Sequence, residues 1–277
     1  MPQPLNMATQ GDLSPALRRL GQSVLLSQDE IDFFEGIQNN VVSYQRGESI
    51  LGDGQEFTCC YAIRDGWAMA YRITAAGRRQ IVALYLPGDF IGLHINFHRK
   101  AIFSLSALTK LEVALIEPMR LIEIHQKFPV LAGGLDWSSV RSLNIMGEHN
   151  VSLGARTADQ RILHLMLEIW CRLLIVGEAS AEGFTMRMTQ QQIADVLGLS
   201  LVHTNKMLKS LIKRNLLTIQ ARHVSIPNLK KAIEVADFDP AFLDTFRTAT
   251  MSSSGDGSID SQMDRISALA EEVADKN

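Results

Sequence analysis

Apolar residues follow three different rhythms along this chain, and each rhythm predicts a different kind of element. Ser27 followed by Glu30 has capping-box spacing, with Ile31, Phe33, Phe34 and Ile37 behind it, which predicts a short helix ahead of the first sheet. From Val41 to Ile116 short β-rich runs alternate with turn residues: Arg46-Gly47-Glu48, Gly52-Asp53-Gly54, Asp65-Gly66, Ala76-Gly77 and Pro87-Gly88-Asp89. Short strands at roughly 8 to 12 residue spacing are the signature of an antiparallel sandwich or barrel. A small β-roll is therefore expected over residues 41 to 117.

Between Leu131 and Val176 the pattern becomes helical, with a break expected near Gly154. Val140, Leu143, Gly147, Asn150 and Gly154 recur at alternating spacings of three and four, as residues along a helix-helix seam do. Small residues on that stripe would let two helices approach closely, so Val140, Leu143, Gly147 and Asn150 are candidate dimer contacts. The alternative is that Val140 and Leu143 pack on the β-roll. Ile162, Leu163, Leu165, Met166, Ile169 and Leu173 read as the core-facing side of a helix in a following domain.

The most informative stretch runs from Met188 to Leu208. Thr189 is an N-cap candidate, and the short helix it opens places Ile193, Ala194 and Leu197 on one face before Gly198 ends it. Ser200 then caps a second helix whose inward face is Thr204, Leu208 and Leu211. Helix, glycine-containing turn and capped helix make a helix-turn-helix unit, with small Ala194 where the helices cross. The second helix leaves Leu201, Val202, His203, Asn205, Lys206 and Lys209 pointing outward. Lys reaches guanine O6/N7, Asn reaches adenine N6/N7, and aliphatic groups meet the thymine methyl, so Leu201, Val202, Asn205 and Lys206 are candidates for base contact. Gln190, Gln191, Ser200, His203 and Lys209 are better placed for the backbone and its phosphates. Two strands follow, within Leu216–Gln220 and His223–Ile226, with Arg222 in the turn between them. They read as a wing fed by Phe184–Arg187, and Arg222 is a further candidate for phosphate contact.

Charge sharpens this picture. Between Thr185 and Lys231, Arg187, Lys206, Lys209, Lys213, Arg214, Arg222, Lys230 and Lys231 face Asp195 alone. That is +7 on a chain of net −3, which leaves −10 for everything outside the window. A basic segment on an acidic body predicts a local polyanion site, because phosphate neutralisation supplies most non-specific nucleic-acid affinity. A hydrophobic fraction of 46% excludes a disordered chain, and 277 residues suit two domains with a connecting element.

Other classes find little support. Met1 to Gln10 lacks the basic cluster and apolar run of a secretion signal, so a cytoplasmic location is expected. Ile162 to Val176 is interrupted by Glu168 and Arg172 and is shorter than the ~20 residues of a bilayer span, so no membrane association is expected. Cys59, Cys60 and Cys171 show neither zinc spacing nor an even count, and read as small buried hydrophobes. The chain has no nucleophile elbow, phosphate loop or metal-ligand spacing, so no enzyme activity, catalytic residue, metal or cofactor is expected.

Together the β-roll glycines Gly47-Glu48, Asp65-Gly66 and Pro87-Gly88-Asp89-Phe90-Ile91-Gly92, the helix after them, and Thr189 to Leu217 resemble the Crp/Fnr family of bacterial regulators, over about residues 15 to 240. The resemblance implies an α+β chain with an N-terminal antiparallel β-roll as sensor, a long dimerisation helix and a C-terminal winged helix-turn-helix. It implies double-stranded DNA, a second copy of the chain and RNA polymerase as partners. The expected divisions are 1–40 (N-terminal helical segment), 41–130 (β-roll), 131–158 (dimerisation helix), 159–240 (winged helix-turn-helix) and 241–277. In the last, Met251–Ser258 reads as a linker, and Ile259, Met263, Ile266, Ala270 and Val273 as a small amphipathic helix.

The departures from the family pattern are informative. Nucleotide-binding members carry a Gly-Glu pair and an Arg-Ser or Arg-Thr pair, whereas here Leu93 follows Gly92 and Ala101-Ile102 occupies the second position. Cyclic AMP is therefore not the expected effector. The oxygen-sensing branch uses an N-terminal cysteine cluster for iron and sulfur, and no cysteine precedes Cys59 here. His94 and His98 read as surface or packing histidines rather than haem ligands. Val202, Asn205 and Lys206 stand where members often show Glu-x-x-Ser-Arg, so the usual target sequence does not transfer. The rival to a DNA-binding regulator is a β-roll sensor module that regulates a protein partner through Ile259–Val273 without binding DNA.

Overall fold

The computed structural model describes residues 13–243, and the chain divides into two units between Ser142 and Leu143. The N-terminal decapeptide and the Ile259–Val273 segment lie outside the described residues.

In the first unit, α1 (Pro15–Ser23) starts where the Ser14 hydroxyl accepts from the Leu17 N–H and Pro15 occupies the first helical position. The serine-proline pair signals a helix start, because proline has no N–H to lose there. α2 (Gln28–Gly36) has the predicted capping box between Ser27 and Glu30. Glu30 does more than cap: its other carboxylate oxygen accepts the Leu131 N–H at 3.0 Å, anchoring a helix a hundred residues away.

Eight strands follow: β1 (Val41–Tyr44), β2 (Ser49–Leu51), β3 (Cys60–Asp65), β4 (Ala68–Ile73), β5 (Arg79–Tyr85), β6 (Phe90–Ile91), β7 (Ser104–Ala107) and β8 (Leu111–Ile116). They form two antiparallel four-stranded sheets, in the orders β1-β8-β3-β6 and β2-β7-β4-β5. Tyr61, Ile63, Ile91 and Val113 of the first sheet meet Ala68, Ala70, Leu105 and Ala107 of the second in one core. The alternate residues Cys60, Ala62, Ala114 and Ile116 turn the other way and pack on α1, α2, α3 (Pro118–Lys127) and the start of α4 (Pro129–Ala155). β3 is thus buried on both faces, which is why it reads as an unbroken apolar run. The turn into β4 needs glycine. At Gly66, with φ +82°, an added Cβ would lie 2.1 Å from the Lys110 carbonyl oxygen.

Pro87-Gly88-Asp89 is more than a turn. Asp89 forms an ion pair with buried Arg19, which also donates to the Pro87 carbonyl at 2.8 Å, and Arg141 of α4 approaches the same carboxylate at 3.5 Å. Sequence reasoning saw only punctuation here, since the two arginines come from distant segments.

The second unit contains the rest of α4, α5 (Ala158–Ile175), β9 (Ala179–Ser180), β10 (Gly183–Thr185), α6 (Gln190–Leu197), α7 (Leu201–Lys213), β11 (Thr218–Gln220), β12 (His223–Ser225), α8 (Leu229–Ala236) and a 3-10 turn at Pro240–Leu243. The sheet order is β11-β12-β10-β9. The helical break expected near Gly154 falls two residues on, at Arg156-Thr157, where Thr157 and Gln160 form a capping box that starts a new helix. Gly154 remains helical. α5 was expected to bury one face, but all sides from Ile162 to Leu174 are buried, including His164, Glu168 and Arg172.

Candidate nucleic-acid interface

The helix-turn-helix is built by its caps. The Thr189 hydroxyl accepts from the Gln192 N–H at 3.2 Å while the Gln192 side chain accepts the Thr189 N–H at 2.8 Å, a reciprocal box of which the sequence reading used only the threonine. Gly198 closes α6 in the left-handed region at φ +66°, and the Leu199 N–H returns to the Ala194 carbonyl. The Ser200 hydroxyl accepts from the His203 N–H at 3.2 Å and starts α7. Ser200→Ala is expected to cost about 1 kcal/mol of stability, read by urea denaturation, whereas Ser200→Asp, which keeps an acceptor at the cap, should retain it. Equal stability of the alanine variant and the parent would contradict the capping role.

Ile193, Ala194 and Leu197 of α6 and Thr204, Leu208 and Leu211 of α7 are buried, as the inward face requires. On the opposite side Leu201, Val202, His203, Lys206 and Lys209 are exposed, Val202 to 80%. Leu201 beside it is exposed to 39%, so two adjacent apolar side chains stand open on this face. Asn205 sits at the edge of this face, half-buried, with its Oδ1 enclosed and without a hydrogen bond. Gln190, Gln191 and Ser200 are exposed at the starts of α6 and α7, and the Gln191 amide donates to Asp195 at 2.8 Å.

The wing is a two-residue hairpin in which Ala221 and Arg222 have φ of +47° and +75°, the mirror-image turn that suits a twisted ribbon. Arg222 is exposed, and its Nε donates to the Met186 carbonyl at 3.1 Å, which braces the side chain against the strand that leads in. The structure also redistributes the basic charge. Arg187 pairs with Glu178, Arg214 with Asp159 and Lys231 with Glu234, so these cations act locally. Lys206, Lys209 and Lys213 on α7 and Arg222 at the wing tip present positive charge outward.

On α4, Val140, Leu143, Gly147 and Asn150 are all exposed, Val140 to 52% and Leu143 to 65%. The exposure of Val140 does not favour its packing on the β-roll.

This order of parts matches two family models: a cyclic nucleotide-binding domain at residues 41–128 and a Crp-like helix-turn-helix domain at 160–231. The chain belongs to the Crp/Fnr family. As a Crp/Fnr regulator it is a DNA-binding transcription regulator. Among relatives, the nitrogen fixation regulation protein FixK of Bradyrhizobium diazoefficiens is 29% identical over 187 residues, covering 67% of this chain and 77% of that protein. The fumarate and nitrate reduction regulatory protein of Shigella dysenteriae is 27% identical over 206 residues, covering 73% and 81%. The structure of FixK2 from Bradyrhizobium japonicum superimposes with a TM-score of 0.63 at 25% identity, over 71% of this Crp/Fnr chain and 96% of that one.

Proposed function

We propose that this Crp/Fnr regulator binds an inverted-repeat DNA site as a homodimer, with α7 in the major groove and the exposed stripe of α4 at the dimer seam. The observation that carries the reading is the outer face of α7, where the open Val202 side chain lies on the same side as Lys206 and Lys209 within the first three turns. Leu201, Val202, Asn205 and Lys206 contact bases in this reading, with the Asn205 amide rotating outward on binding. Gln190, Gln191, Ser200, His203, Lys209 and Arg222 hold phosphates. Val140, Leu143, Gly147 and Asn150 meet their copies across the two-fold axis, as an isologous interface requires. RNA polymerase is the protein partner and the cytoplasm the site of action.

The effector is not cyclic AMP. Leu93 and Ile102 offer neither the carboxylate nor the hydroxyl of the nucleotide-binding pattern, and the Phe57 ring lies 3.2 Å from where a Gly92 Cβ would be. Selection of bound sequences from random duplex DNA, with and without cyclic AMP, together with light scattering, tests the whole reading. The expected result is a dimer selecting an inverted repeat with half-sites about one helical turn apart, roughly 34–36 Å, and unchanged by the nucleotide. A monomer that footprints one half-site would overturn it.

A further inference from the structure

Arg161, one turn into α5, donates to three carbonyl oxygens. Its Nε reaches Arg156 at 2.9 Å, its Nη2 reaches Leu153 at 2.9 Å, and its Nη1 reaches Leu197 at 3.2 Å. The Leu153 carbonyl belongs to the last turn of α4, where intrahelical donors run out. The amide that would have served it, that of Thr157, is committed to the Gln160 side chain instead. The Leu197 carbonyl is the end of α6, one residue before the Gly198 turn that sets the direction of α7. One planar guanidinium therefore spans the end of α4 and the turn of the helix-turn-helix. Charge-assisted bonds of this kind are roughly twice as strong as neutral ones.

A second set of ties surrounds the same junction. On α4, His149 Nε2 lies 2.7 Å from the fully buried Glu168 of α5. Glu148 pairs with Arg156 at 2.8 Å, and Arg156 also donates to Ser152 at 3.0 Å and to the Asp237 carbonyl beyond α8 at 3.2 Å. The chain's division into units falls after Ser142, inside α4, so this half of the helix belongs to the DNA-reading unit.

We propose that Arg161 is a positioning residue that makes the α4–α5 junction a rigid joint, so that the direction of α4 fixes the direction of the recognition helix and hence the half-site separation a dimer accepts. The spacing consequence rests on the DNA-binding reading above, whereas the rigidity of the joint does not. A merely structural arginine would support folding but leave spacing preference alone.

Two measurements test this. In amide hydrogen exchange of the full chain without DNA, the hydrogen-bonded amides of the last α4 turn, residues 152–155, and that of Arg161 are expected to exchange together with the α5 core, and their release in an earlier local opening would overturn the joint whatever the protein does with DNA. On a series of sites whose half-site separation differs by one base pair, the parent is expected to lose about tenfold in affinity, and Arg161→Ala to lose within about threefold, with single half-site binding unchanged. Arg161→Lys should behave like the alanine variant, because a single ammonium cannot reach three fixed carbonyls. An Arg161→Ala protein that melts lower yet keeps the parent's spacing penalty would overturn the positioning role. If it does not fold, His149→Ala against His149→Gln, which keeps a donor near the Nε2 position, provides the same comparison. The parent's loss of spacing discrimination in His149→Ala and its retention in His149→Gln are expected, and equal penalties in the two would overturn it.

Discussion

Glu168→Ala is expected to destabilise the DNA-binding unit by about 3–5 kcal/mol, the cost of removing one partner from a buried ion pair. Glu168 is fully buried and holds Arg172 at 2.7 Å and His149 at 2.7 Å. Burial alone would raise its carboxyl, but His149, Arg172 and His164 outweigh that and hold it at about 2, below the ordinary 4.5. In the alanine variant the buried guanidinium of Arg172 loses the carboxylate to which its Nη1 donates. Urea unfolding at neutral pH measures the loss, and a cost under about 1 kcal/mol would mean that water replaces the carboxylate, as at a surface pair.

The same depression determines the response to acid. Glu148 is also lowered to about 2, through the His164 ring 3.4 Å from its carboxylate first and its ion pair with Arg156, against the cost of burial. A carboxyl with a depressed folded pKa contributes stability that is fully present above the unfolded value and is lost as pH falls through the folded value. The parent is therefore expected to lose stability progressively from pH ~4.5 towards pH ~2. The Glu168→Ala protein, already without one of the two groups, should show a shallower slope across that window.

Lys206→Ala is expected to cost about 1–3 kcal/mol on the selected site and to relax preference at one base pair in each half-site, if Lys206 reads guanine. Lys209→Ala should instead weaken all sequences alike and lower the slope of log affinity against log salt by about one unit per contact. Titrations against matched and single-mismatch duplexes at several salt concentrations separate the two outcomes. Unchanged base preference at every position in Lys206→Ala would mean that the reading face of α7 lies elsewhere on the helix.

The sequence alone determined the parts that local chemistry specifies. Capping side chains act on amides two or three residues away, so Ser27, Thr189 and Ser200 mark helix starts in any tertiary context. Apolar periodicity likewise separated the buried Thr204, Leu208 and Leu211 from the exposed Val202 and Lys206, because a helix has a single phase along its length. The same locality exposed the β-roll's turns and the departure at Gly92-Leu93.

What the sequence could not show involves residues brought together from afar. Asp89 reads as a turn residue until Arg19 and Arg141 converge on it, and Glu168 and Arg172 read as interruptions of an apolar helix until the far side of α5 is covered as well. The outward charge was overcounted in part for the same reason: Arg187 and Arg214 find carboxylates on other elements of the fold, whereas Lys231 pairs with Glu234 three residues on, a spacing the sequence already offered. Arg161 carries no motif at all, since its three partners are backbone carbonyls whose availability depends on where helices end in space. Local chemistry thus determined where elements begin and which face each one buries. Tertiary structure decided which of the other charges are spent inside the protein and which remain to meet DNA, because pairing between elements depends on distances that chain order does not encode.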